Sequence, residues 1–274
     1  MKILWIADFS TKEHKGGAQQ TNNIMIKEGR KRGHTIDISL GGSLIDFKSD
    51  YDLVVLNNIT KYERAEIEAL VASQKCVRYE HDYWVAREYP ELYSKVKSNI
   101  FLSPLHLEGI EKIVGYKIEN YHLVPSPVPS SIFKNSEGKR EKGSILWVGN
   151  LCETKGSFEL IDYIAENPEH KFYIVGFGVD IDKVKDYENV EYVGQLEMRD
   201  IVKYYQRCES FYHRPRYDEA FGRAVVEAYL CGCNLIANSN IGALSWDWDF
   251  SDYDLIKKNV QSQDKFWNIL ENEV

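Results

Sequence analysis

Short apolar runs alternate with amphipathic stretches along most of the chain. Residues 3–7, Ile-Leu-Trp-Ile-Ala, are apolar without alternation, the pattern of a strand buried on both faces. A polar loop follows and contains Gly16-Gly17-Ala18-Gln19; residues 20–31 then read as a helix ending at Gly33-His34, and 35–40 as the next strand. The alternation continues with a strand at 52–57, a helix at 62–73, strands at 76–79 and 99–103, and a helix at 105–114. Strand, loop and helix in repeated order predict a doubly wound α/β domain with a parallel sheet. Ligands collect at the carboxyl ends of such strands. The Gly16-Gly17 loop and the stretch Glu80-His81-Asp82, after the strand at 76–79, therefore become candidate positions. A histidine there can orient a reacting hydroxyl or move a proton.

Three prolines within residues 124–129, followed by a charged stretch without apolar periodicity, predict a linker. A second pattern then begins at Ser144-Ile145-Leu146-Trp147-Val148-Gly149 and runs through a polar loop with Lys155-Gly156 into a helix over 157–166. Strands at 171–175 and 190–193 end in glycine loops, Gly176-Phe177-Gly178 and Gly194-Gln195. A helix over 200–208 and a strand at 210–212 lead to Arg214-Pro215. The predicted organisation is an N-terminal domain at 1–129, a linker at 130–143, a C-terminal domain at 144–255, and a last helical segment at 256–274 crossing back to the first domain.

The stretch Pro215 to Cys233 carries the densest chemistry. Glu219 and Glu227 are separated by seven residues, with a turn signal at Ala220-Phe221-Gly222 and good helix formers after it. A helix beginning near Gly222 leaves Glu219 just ahead of its N-terminus and Glu227 inside it. The first amides, from Phe221 and Gly222 onward, then form an anion site between two acceptors. Taken alone, such a pair is a helix-end acid and a solvated helix residue. The phosphate-suited loop at Lys155 and the glycine loops change that weighing, because a cation and a helix start together suit a diphosphate.

The Glu-x7-Glu spacing, Pro215 ahead of it and Ala-Tyr-Leu-Cys-Gly-Cys behind it resemble the donor-site signature of family 4 retaining glycosyltransferases, which have the GT-B fold. The chain is shorter than typical members. The resemblance implies two Rossmann-like domains whose parallel sheets face across a cleft, an acceptor side in the first and a nucleotide-sugar donor side in the second. It implies a donor of the UDP or GDP type, a hydroxyl-bearing acceptor (glycan, lipid or small molecule), no cofactor, and front-face substitution without metal. Carried over by residue, Lys155 of Gly149-x5-Lys155-Gly156 holds the pyrophosphate, joined by the Gly16-Gly17 loop. Gly176 and Gly194 frame the base, Glu227 takes the ribose hydroxyls, Glu219 the transferred sugar, and His81 the acceptor side. The family has arginine directly after the first glycine of the lysine segment; this chain has Asn150 there, and Arg214, Arg216 or Arg223 are the cations at hand to replace it.

Composition narrows the partners. With 34 Lys and Arg against 42 Asp and Glu, the net charge is −8, which opposes general nucleic-acid binding. Five scattered cysteines fit reduced thiols in the cytoplasm and lack zinc-site spacing. No segment has the apolar length of a membrane span. The cluster Lys27, Arg30, Lys31, Arg32 admits a weak peripheral contact with anionic lipid, though cations at a helix end also suit the dipole. Four Asp-x-Asp triplets, at 50–52, 180–182, 247–249 and 252–254, are the spacing expected by chance in so acidic a chain, and are not read as a metal site. Two rival functions remain: transfer to modified DNA, which the charge opposes, and a catalytically silent sugar-nucleotide-binding module, which Asn150 and the short length favour.

Overall fold

The computed structural model describes residues 1–10, 13, 16–42, 44, 50–136 and 138–273. The chain forms two compact units, one made of 1–127 with 261–274, the other of 128–260.

The first unit opens with β1 (Lys2–Ala7), α1 (Gly17–Lys31), β2 (Thr35–Leu40) and β3 (Leu53–Leu56). It continues through α2 (Arg64–Ser73), β4 (Cys76–Tyr79), two short helices α3 (Trp84–Glu88) and α4 (Leu92–Lys95), β5 (Ser98–Phe101), α5 (Pro104–Val114) and β6 (Tyr121–Leu123). All six strands pair in parallel in the order β2-β1-β3-β4-β5-β6. β1, β3, β4 and β5 are covered on both faces, which explains their unbroken apolar or fully buried runs. α1 starts earlier than expected: Gly17 lies in its first turn and Gly16 is its N-cap, so the pair is a helix start rather than a free loop. Ser103 caps α5 by accepting from the His106 amide, with Pro104 at the first helical position.

The second unit contains β7 (Glu141–Asn150), α6 (Ser157–Glu166), β8 (Lys171–Phe177), β9 (Val190–Gly194), α7 (Met198–Arg207), β10 (Cys208–His213), α8 (Arg223–Leu230), β11 (Asn234–Ala237) and α9 (Tyr253–Asn259). Its five strands are parallel, in the order β11-β10-β7-β8-β9. The expected linker over 130–143 is corrected here, Glu137 lying outside the described residues. β7 begins at Glu141, whose carboxylate accepts from Tyr173 Oη at 2.9 Å and Arg207 Nε at 2.8 Å. Phe133 is buried against Tyr205, and Arg140 donates to the carbonyls of Tyr205, Cys208 and Cys231. Side-chain partners thus hold a stretch whose charge and missing periodicity read as a free joint.

The tail returns to the first unit as α10 (Gln263–Glu273). Trp267 packs flat on α1 at Gly29, where any Cβ would lie 2.0 Å from its ring, and its Nε1 donates to the Met25 carbonyl at 2.9 Å. Arg32 bridges Asp264 at 2.5 Å and Glu271 at 3.1 Å, while Lys31 pairs with Glu28 and Arg30 donates to the Ile36 carbonyl. Those three cations of the expected lipid-facing cluster are therefore already matched by acids and a carbonyl. No described helix is long and apolar enough to cross a membrane.

Candidate functional site

In the second sheet, successive crossovers run outward in opposite directions from β7 and β10. Those two neighbouring strands form the topological switch point, where loops diverge and leave room for a ligand. Lys155 stands in the loop after β7, on a 3₁₀ turn at Glu153–Lys155. His213 ends β10, and Glu219 lies between β10 and α8. The fold brings all three together. Lys155 Nζ lies 2.5 Å from Oε1 of Glu219, and His213 Nε2 reaches the same oxygen at 2.9 Å.

The backbone of Glu219 is fixed by a bridge to Ile241: its amide donates to the Asn240 carbonyl at 2.8 Å and its carbonyl accepts from the Gly242 amide at 3.0 Å. The side chain is only 10% exposed. Burial pushes its carboxyl up, but the His213 imidazole and the Lys155 ammonium more than offset this and hold it well below the usual carboxylate range. Glu219 is therefore ionised and already partnered, where the spacing alone predicts an open acceptor.

Gly222 is the N-cap of α8, at φ +80°, and a Cβ there would lie 2.7 Å from Ile241 and 3.2 Å from Oε2 of Glu219. Only glycine takes this conformation without strain, so the second oxygen of Glu219 lies beside the helix start. α8 has no side-chain cap, and its Val225 amide donates back to the Gly222 carbonyl at 3.0 Å. Phe221 is buried, so its contribution is through the backbone. The α6 start differs from expectation. The amides of Lys155, Gly156 and Ser157 are already bonded to the carbonyls of Cys152, Glu153 and Cys152. The Lys155 ammonium of that loop is engaged with Glu219.

Glu227 sits one and a half turns into α8, half-buried, accepting from Arg223 at 3.2 Å and from Tyr205 Oη at 3.4 Å. Burial raises its carboxyl above the ordinary value, and Arg223 offsets only part of this. The two glutamates thus have opposite electrostatics, Glu219 ahead of α8 and Glu227 within it. Asn150 is exposed at the end of β7, in register with Phe177. Gly176 is pressed on β7: a Cβ there would lie 1.9 Å from the Gly149 carbonyl. Gly194 ends β9 at φ +84°, in open space. Of the cations considered in place of the missing arginine, Arg216 is held by Glu153 and Glu159 and Arg223 by Glu227, while Arg214 is exposed.

Gly16, Gly17 and His81 belong to the first unit. His81 follows β4 and is 9% exposed; its Nε2 lies 3.1 Å from both Asn22 Oδ1 and Asn57 Oδ1. Its amide donates to Glu80, whose carboxylate is bound by buried Arg78 and by Tyr93. Asp82 accepts from Asn58 Nδ2 at 2.8 Å and from the Trp84 amide. Burial, then Glu80, raises its carboxyl.

At least one acid of each Asp-x-Asp triplet is hydrogen-bonded within the fold. Asp52 accepts from the Lys2 amide, Asp180 from Ser157 and Lys183, Asp249 from Ser251, and Asp252 caps α9. Among the described residues no cluster of three or more metal-ligating side chains forms. The five cysteines are free thiols. His213 was not singled out from the sequence, although a histidine at a strand's carboxyl end is the same signal that marked His81.

Residues 130–245 match the family model for glycosyl transferases group 1. The match spans the whole Lys155, His213, Glu219 and Glu227 arrangement. No curated protein matches the chain. Among solved structures, HepE of Anabaena, in complex with UDP and glucose, superposes with a TM-score of 0.73 at 17% identity, covering 99% of this chain and 100% of that one. A sucrose-phosphate synthase from Thermosynechococcus elongatus gives 0.73 at 16%, covering 100% and 90%. A lipopolysaccharide outer core galactosyltransferase, WaaB, gives 0.65 at 14%, covering both chains fully. At these identities the likeness is one of fold. The chain has the GT-B architecture, two Rossmann-like α/β units with parallel sheets.

Proposed function

We propose that this protein is a retaining glycosyltransferase of the family 4 type that moves a sugar from a nucleotide-diphosphate donor to a hydroxyl acceptor. The observation that carries the reading is the pairing of a partly exposed cation, Lys155, with a buried carboxylate, Glu219, beside the start of α8. Departure of a nucleoside diphosphate develops charge on phosphate oxygens, and an ammonium with aimed amides is suited to receive it. A uridine-type donor is favoured, since HepE was solved with UDP and with UDP-glucose.

In this scheme Lys155 leaves Glu219 for the diphosphate, and Oε1 of Glu219 becomes an acceptor for hydroxyls of the transferred sugar. Glu227 takes the ribose diol. The bond from the anomeric carbon to the phosphate oxygen breaks, the acceptor oxygen bonds to that carbon on the same face, and its proton passes to the departing phosphate. His81, held by Asn22 and Asn57, serves the acceptor, and the Gly16-Gly17 helix start serves the diphosphate. No metal or other cofactor enters the scheme.

The test is sugar release from a panel of labelled UDP- and GDP-linked donors, with and without EDTA. One donor is expected to be hydrolysed slowly in water alone, at a rate EDTA leaves unchanged. Binding of a donor without any release, with or without candidate acceptors, would instead identify a silent module. Activity lost in EDTA and restored by manganese would overturn the metal-free scheme.

A further inference from the structure

We propose that His213 is the standing partner of Glu219, a positioning residue that keeps this carboxylate paired and aimed when Lys155 is drawn to a phosphate. The inference rests on the reading of Lys155 as the diphosphate cation. The two groups that share Oε1 of Glu219 are unequal in freedom. Lys155 has a long side chain, 41% exposed, on a short turn. His213 is 4% exposed, at the end of a strand paired in register with β11, and its ring stacks on Phe211 with centroids 6.0 Å apart. The lysine can leave, whereas the histidine stays.

The two ring nitrogens of His213 have different surroundings. Nε2 faces a carboxylate oxygen at 2.9 Å, so it carries the proton and donates. Nδ1 is buried with no hydrogen-bond partner among the described residues. Nε2 is thus the ring nitrogen that serves Glu219. Without this donor, departure of Lys155 would leave a buried carboxylate with no partner on Oε1, and breaking a buried pair in that way is strongly unfavourable. His213 therefore lets the lysine change partners, and its removal should penalise the binding of any diphosphate that recruits Lys155.

The probe is UDP, titrated by calorimetry. His213→Phe, which keeps a ring and removes the donor, is expected to weaken UDP by about ten- to a hundredfold, the worth of one charge-assisted hydrogen bond. His213→Gln, which retains an N–H donor, is expected to recover most of that loss. Adding Glu219→Gln to His213→Phe removes the carboxylate that needs the partner, so UDP affinity should return to the level of Glu219→Gln alone. An unchanged affinity in His213→Phe, or an equal loss in the double variant, would overturn the proposal and reduce His213 to packing. If the wild type binds GDP and not UDP, the same titrations are made with GDP; if it binds neither, the sugar-nucleotide reading falls and the proposal falls with it. Should His213→Phe not fold, ¹⁵N-histidine NMR on the wild type and on Lys155→Met decides. A proton retained on Nε2 of His213 in both supports the standing partnership, and its loss in Lys155→Met refutes it.

Discussion

At the scale of single residues, the two glutamates are expected to fail differently. Glu227 is tied to Arg223 and Tyr205, and its assigned ligand group, the ribose diol, is present in UDP as well as in a UDP-sugar. Glu227→Gln should therefore weaken UDP and UDP-glucose by similar factors, about ten- to a hundredfold. Glu219→Gln removes the acid that holds Lys155 in the free protein. UDP should bind no more weakly to it than to the wild type, because the ammonium is released, while UDP-glucose loses an acceptor for its sugar. Calorimetry of both ligands against both variants checks this. Equal and negligible effects in all four titrations would leave the pair as helix-end acids. The spacing of the pair was legible in the sequence, as was the glycine at the helix start. Its opposite electrostatics were not, because His213, Lys155 and Tyr205 reach it from other elements.

At the scale of elements, α5 shows how a cap can carry a pH dependence. Ser103 caps the helix through the His106 amide; the His106 ring is fully buried, accepting from the Leu102 amide at Nδ1 and contacting the Asp82 carbonyl through Nε2. Burial lowers its pKa to about 4. The unfolded chain, with an ordinary histidine near pH 6.5, binds more protons than the folded one between those values, so stability falls as pH falls through that window. His106→Gln does not titrate. Urea denaturation should show the stability difference between wild type and this variant shifting against the wild type from pH 7 to pH 4.5. A constant difference would mean that the buried ring is not held neutral. Among the elements, periodicity recovered β1, β4, α1, α2 and α5 to within a few residues. It missed α3, α4 and β6, where three to five residues are too few for a period to show.

At the scale of the whole molecule, the last helix closes the first unit across more than two hundred residues of chain. Trp267 is fully buried between Trp5, Phe266 and α1, and Gly29 is the position that admits its ring. Trp267→Ala should cost about 3–5 kcal/mol in the unfolding transition that reports the first unit, as for other large-to-small core changes. Denaturation followed by a probe in that unit checks it, and a cost under about 1 kcal/mol would mean that α10 is a loosely attached tail.

What the sequence by itself determined about this protein are the local terms: strand and helix order, the parallel α/β class, the Lys155 loop and the Glu219 and Glu227 spacing. Each depends on hydrophobic period, glycine placement or neighbouring residue types, all of which are written along the chain. The tertiary structure decided which side chains meet. Whether Lys155 is free or held, and whether His213 matters at all, depend on strand order and on loops brought together at a switch point. The Lys155–Glu219 contact joins residues 64 apart in sequence, and no local pattern records it because its energy arises only once the sheet is assembled.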